Sequence, residues 1–155
     1  MTALARPAQR LTPVPTRARV DANGTAWRLR SLVAMGHDCA RIARALDVPP
    51  SLIRRVVNGQ ARTVTAGFRA AAAGLLDAWW DKTPPRRTVG QRRAAARAVR
   101  VAQNCGWPAA AGLDDDEVDL PGYRPWSRYR PATGTGTAPD FPPARPRPLD
   151  TKDIA

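Results

Sequence analysis

Between Thr25 and Gly106 the large apolar residues recur every third or fourth position, in short runs that strong stop signals interrupt. That punctuated pattern restricts the chain to a bundle of short helices. Leu29, Leu32 and Val33 share one face of a first helix, with Thr25 as its N-cap, Met35 near its end and Gly36 as its stop. Asp38 caps a second helix over about 39–46 that shows Ile42, Ala43 and Leu46 to the interior, and Asp47-Val48-Pro49 turns the chain. Pro50, suited to a helix's first position, opens a third over about 50–58, with Ile53, Val56 and Val57 inward and Gly59 as its end. Thr65 starts a fourth, about 66–81, that carries Phe68, Ala72, Leu75, Leu76, Trp79 and Trp80 and stops at Pro84-Pro85. Thr88-x-x-Gln91 is a capping-box pattern for a fifth, about 89–104, closed by Gly106. No alternating strand pattern of any length is present. The expected class is all-α, a compact helical head of about five helices.

The core of such a head must be small. The chain's 155 residues include 29 Ala but only 2 Phe, 2 Tyr, 2 Met and 5 Trp, and its 16 Pro and 11 Gly keep part of it outside any core. Residues 1–22 contain Pro7, Pro13 and Pro15 without apolar periodicity and read as a flexible basic arm. Residues 23–108 form the helical domain and 109–122 an acidic segment. Residues 123–155, with seven prolines and the run Thr133-Gly134-Thr135-Gly136-Thr137, read as a disordered tail. No apolar run approaches the length of a membrane span, and Met1 to Val20 has four Arg but no apolar stretch of the secretory kind. The expected location is the cytoplasm. Cys39 and Cys105 suit a reducing compartment, and without a Cys/His cluster they make no zinc site.

Net charge is +12, and 23 of the 25 basic residues are Arg. A GC-rich genome accounts for Arg over Lys, but it leaves the excess of base over acid unexplained, and that excess points to a polyanion. Arg93, Arg97 and Arg100 form a stripe on the fifth helix and, with Arg86, Arg87 and Arg92, a second basic patch, which reads either as a phosphate track or as a solvated face. Asp114-Asp115-Asp116-Glu117 lacks the alternate spacing of a calcium loop, so it is expected to neutralise a basic surface, by folding onto the Arg stripe, or to solvate a loop. His37 stands alone, with no second His and no nucleophile pattern, and is expected as a turn residue near the backbone of that polyanion rather than a general base. Trp79-Trp80 is expected to place one ring in the core and leave the other for a partner contact. Neither a Walker loop nor a GxGxxG motif is present. The chain is expected to be no enzyme and to use no cofactor or metal.

The segment from Cys39 to Val56 carries the most specific pattern. Ile42, Leu46, Val48, Ile53 and Val56, with small Ala43 between, are what two short helices crossing steeply through a tight turn require. Ala43 sits where the helices touch and Val48 plugs the turn, which leaves Ser51, Leu52, Arg54, Arg55 and Asn58 to point outward. This pattern resembles a helix-turn-helix of the Cro/repressor type. Three positions depart from that family: Asp47 replaces the usual turn Gly, Pro49 the usual capping Ser or Thr, and Cys39 a frequent Gln. Asp tolerates positive φ better than most residues, so the turn is expected to survive. A longer stretch, about 25–122, is similar to small helix-turn-helix proteins common in actinobacteria and their phages.

The resemblance implies that helix 50–58 enters the major groove of double-stranded DNA. Arg54 and Arg55 would then read guanine edges, and Asn58 or Ser51 adjacent edges or phosphates. Arg62, Thr63, Arg41 and Arg44 would grip the backbone. The function expected is sequence-specific DNA binding by a transcriptional regulator, with a homodimer as a candidate assembly. The alternatives are a phage-type DNA packaging adaptor, in which helices 66–81 and 89–104 build an oligomer, and a protein-interaction module.

Overall fold

Local stop signals set most of the helix ends. In the computed structural model, which describes residues 16–125, the elements are β1 (Arg19–Asp21), α1 (Asn23–Ala34), α2 (Cys39–Leu46), α3 (Pro50–Val57), β2 (Thr63–Thr65), α4 (Ala66–Trp79), α5 (Val89–Cys105) and a single 3-10 turn at Ala110–Gly112. The Asp38 carboxylate accepts the Arg41 N–H at 2.7 Å, and the Thr65 hydroxyl accepts that of Phe68 at 3.1 Å. Thr88 and Gln91 cap reciprocally: the Thr88 hydroxyl accepts the Gln91 N–H at 3.1 Å, and the Gln91 side chain accepts the Thr88 N–H at 3.2 Å. Four C-terminal stops use left-handed backbone: glycine takes it at Gly36, Gly59 and Gly106, and Asp47, at φ 53°, takes it after α2. The expectations of disorder for residues 1–15 and 126–155 lie outside the described residues.

Two expectations at the start of the domain are corrected. Thr25 is not a cap but a fully buried residue inside α1, which starts at Asn23 with Ala22 as its N-cap. The reason is tertiary. β1 and β2 pair antiparallel, with Val20 opposite Val64, and the Ala22 N–H donates to the Arg62 carbonyl at 3.0 Å, so the ribbon delivers the chain into the helix. Asp21 then accepts the Asn23 N–H at 2.8 Å. Residues 16–22 therefore belong to the fold rather than to a flexible arm. Strands of three residues are too short to leave an alternating pattern, and the described chain remains all-α in character.

α1 is the central helix. Nine of its twelve residues are buried, and it packs against α3, α4 and α5. Leu29 and Leu32 are fully enclosed, with Ile42 and Ala43 of α2, Ile53, Val56 and Val57 of α3, Ala72 and Leu76 of α4, and Ala98 and Ala102 of α5 completing the core. The buried residues of α5 are all alanines, which have little side chain to bury, whereas α4 adds Leu76 to the core with Phe68, Leu75 and Trp79 packed against it. Ala43 is 1% exposed, and its carbonyl accepts the Val48 N–H of the turn at 3.0 Å. Ala43→Leu is expected to lower stability by about 1–3 kcal/mol, the usual cost of overpacking. Chemical denaturation checks this, and an unchanged midpoint would mean that the α2–α3 contact has room to spare.

The acidic segment is a strap over α1 and not a cover for the Arg stripe. Val118 is fully buried, and Asp119 forms a two-bond ion pair with Arg28 of α1, at 2.7 and 2.9 Å. The Asn23 side chain donates to the Tyr123 carbonyl at 3.0 Å. The strap approaches so closely that a Cβ at Gly24 would collide with the Val118 carbonyl and the Asp119 side chain. Asp114 to Glu117 stay exposed, with the Asp114 carboxylate closing its own turn onto the Asp116 and Glu117 N–H groups.

Candidate nucleic-acid interface

α2 and α3 are eight-residue helices, and a three-residue turn joins them. Both are strongly one-sided. Ile53, Val56 and Val57 anchor α3 in the core, while Ser51, Arg54 and Arg55 are exposed on its other face. Leu52 and Asn58 are half-buried, so neither is wholly outward: Leu52 packs against the core and Asn58 is the C-cap. Arg44 of α2 is exposed, as is Arg62 in the chain beyond α3. The positive charge of Arg54 favours the ionised form of the Cys39 thiol. Burial nevertheless dominates at Cys39 and pushes the thiol up to about 11, so it is a neutral S–H at physiological pH. Burial also raises the Cys105 thiol.

Thr63 is exposed, and Arg19 lies across its hydroxyl. It lies in β2, and the Arg19 guanidinium donates to its hydroxyl at 3.0 Å and to its carbonyl at 3.0 Å. His37 is corrected as well. It is fully buried, its ring centroid 4.7 Å from that of Trp79. Its Nε2 lies 3.2 Å from the Lys82 carbonyl, and its Nδ1 accepts from Arg41 Nε at 3.3 Å. A carbonyl only accepts, so Nε2 carries the proton and Nδ1 is the bare nitrogen of a neutral ring. Arg41 is thereby held in place, with its guanidinium stacked 4.6 Å from the Trp79 ring. Of the adjacent tryptophans, Trp79 is packed and Trp80 is 63% exposed.

The neutral ring makes stability depend on pH. Burial, the largest influence, holds the His37 pKa below its ordinary 6.5, with Arg41 also lowering it against the Lys82 bond and Asp38. A depressed His pKa means that the unfolded chain takes up the proton first. The contribution is complete above about pH 6.5 and shrinks as the pH falls below it. Asp119, held below its ordinary range by the Arg28 hydrogen bonds, loses its contribution only lower, as the pH falls below about 4. Denaturation midpoints are therefore expected to fall between pH 7.5 and 5.5 in the wild type and to stay flatter over that interval in His37→Gln. Equal slopes in the two proteins would contradict the assignment.

One supporting residue left no signal in the sequence. Arg30 of α1 is 5% exposed and donates through Nε to the Val57 carbonyl at 2.8 Å. Its guanidinium lies 4.5 Å from the Trp27 ring and 5.5 Å from the Trp107 ring. Desolvation lowers its pKa to about 10, still well above neutrality, so it is a buried cation that faces the negative end of α3. Through this bond α1 fixes the C-terminal end of the helix that displays Arg54 and Arg55. Compared with models of known protein families, with curated proteins and with solved structures, the chain matches none.

Proposed function

We propose that the protein is a sequence-specific binder of double-stranded DNA, a transcriptional regulator rather than an enzyme, in which α2 and α3 act as a helix-turn-helix with α3 in the major groove. The observation that carries this reading is the exposed pair Arg54 and Arg55 on a helix whose opposite face is locked into the core and whose end Arg30 holds. A guanidinium fork matches the O6 and N7 acceptors of guanine, and a rigid helix is the platform such readout needs. In this reading Ser51 meets an adjacent edge or phosphate, and Arg44 and Arg62, all exposed, meet backbone phosphates. The excess positive charge supplies affinity that is independent of sequence. Selection of bound duplexes from a random pool tests the proposal: a short consensus is expected, and a pool that stays random after repeated rounds would overturn it.

Exposed Trp80, at the end of α4, favours a second reading, in which the same DNA-binding unit belongs to an oligomeric packaging adaptor. Solution mass separates these readings: a dimer on a short operator supports the regulator, and a large ring the adaptor.

A further inference from the structure

We propose that the open groove between α2 and the loop from α4 to α5 is a second site on the same DNA, built to hold a backbone phosphodiester outside the bases that α3 reads; this rests on the DNA-binding reading above. Arg41, Arg86 and Arg87 line the groove together with Thr83 and Gln91, and no carboxylate is among its lining residues. Three guanidinium groups around one space repel each other unless an anion joins them. The lining also lacks an aromatic ring, so the groove offers nothing for a base to stack on and much for a phosphate.

The groove is rigid on both sides. On one side Trp79 and His37 hold Arg41, whose Nε is used while its terminal nitrogens bond no other described residue. On the other, the loop backbone is tied down: Arg92 donates to the carbonyls of Arg86 at 3.1 Å and Arg87 at 3.3 Å, and the Gln91 side chain accepts the Arg87 N–H at 2.9 Å. The loop is further anchored by buried Pro84, which lies against Gly36, and by the Lys82 carbonyl at His37. These bonds consume the main chain of Arg86 and Arg87 and leave both guanidinium groups exposed, with no partner among the described residues. The groove also lies at the start of α5, a 17-residue helix whose first turn has no acidic residue to meet its positive end. A site ordered before binding loses little entropy when the phosphate arrives.

Position connects the groove to the reading helix. α2 packs directly against α3 across the three-residue turn, and Arg41 is the third residue of α2. In this proposal a duplex seated on α3 runs on past α2, and its sugar-phosphate strand meets the groove. Phosphate contacts of this kind fix register without reading sequence.

The test uses the full chain with Arg86→Ala and Arg87→Ala together. Both residues are exposed, and circular dichroism verifies that the variant folds. Binding of the selected duplex is followed by fluorescence anisotropy over a salt series. The variant is expected to bind several-fold more weakly at low salt, to show a log K against log salt slope smaller by about 0.9 for one lost phosphate, and to select the same consensus. Inorganic phosphate, titrated as a separate probe, is expected to shift the Arg87 and Gln91 amide resonances of the wild type and not the Gln91 resonance of the variant. A variant with wild-type affinity and slope, in a protein whose wild type selects a consensus, would overturn the groove and leave the reading helix standing. A wild type that binds no duplex, or that binds vesicles of anionic lipid instead, would overturn both.

Discussion

Replacing Arg54 and Arg55 together with Ala is expected to abolish sequence preference while leaving the fold intact. Both side chains are exposed, and neither bonds another described residue, so their loss removes no packing. Each well-formed bidentate contact to guanine is worth about 1–3 kcal/mol of discrimination, so the pair represents ~2–6 kcal/mol between the selected duplex and a scrambled one. The variant should bind both duplexes alike, at the level that backbone contacts alone provide. Competition gel shifts with the two duplexes measure this directly. A variant that still prefers the selected consensus would remove α3 from the role of reader and turn attention to Arg62 or the groove at Arg86 and Arg87.

Arg30→Ala is expected to be the most damaging single change to stability. It leaves the Val57 carbonyl without its donor, at about 1–3 kcal/mol, and removes a cation stacked between two indoles, at about 0.5–2 kcal/mol. The combined loss, roughly 1.5–5 kcal/mol, is a large share of what a small domain possesses. Arg30→Lys should recover only part of it, because an ammonium lacks the flat face that lies against the rings. Arg30→Met, which keeps volume without a buried charge, should lie between Ala and the wild type. Thermal melts of the three variants establish the order. A wild-type melting temperature for Arg30→Ala would show that Trp27 and Trp107 close over the gap unaided. Because Arg30 also holds the end of α3, variants that still fold should bind the selected duplex more weakly than their surface charge predicts.

The helix boundaries and the inward faces of α2 and α3 were legible in the sequence because their causes are local. A cap is a bond between residues three apart, as in Asp38 with Arg41 or Thr65 with Phe68, and a buried face repeats every three or four residues. The same locality explains why α2 and α5 begin where the spacing predicts, and why Asp47 takes the left-handed turn. α1 was legible only in part. Leu29, Leu32 and Val33 mark one inward face, yet the helix is enclosed on nearly all sides, and Arg28 and Arg30 look like solvent-facing charges in any periodic pattern.

What only the tertiary structure decided are the partners that make burial of those charges tolerable. Asp119 reaches Arg28 across 91 residues, and the Val57 carbonyl reaches Arg30 across 27. Lys82 and Trp79 close over His37 from the far end of α4, and Val64 brings the segment at Val20 into the fold. A buried polar group is stable only when its bonds are satisfied, and the satisfying group lies at no fixed spacing along the chain. The sequence by itself therefore determined which residues form helices and which faces of α2 and α3 turn outward. The packing of distant segments decided which arginines are structural and which, like Arg54, Arg55, Arg86 and Arg87, remain exposed.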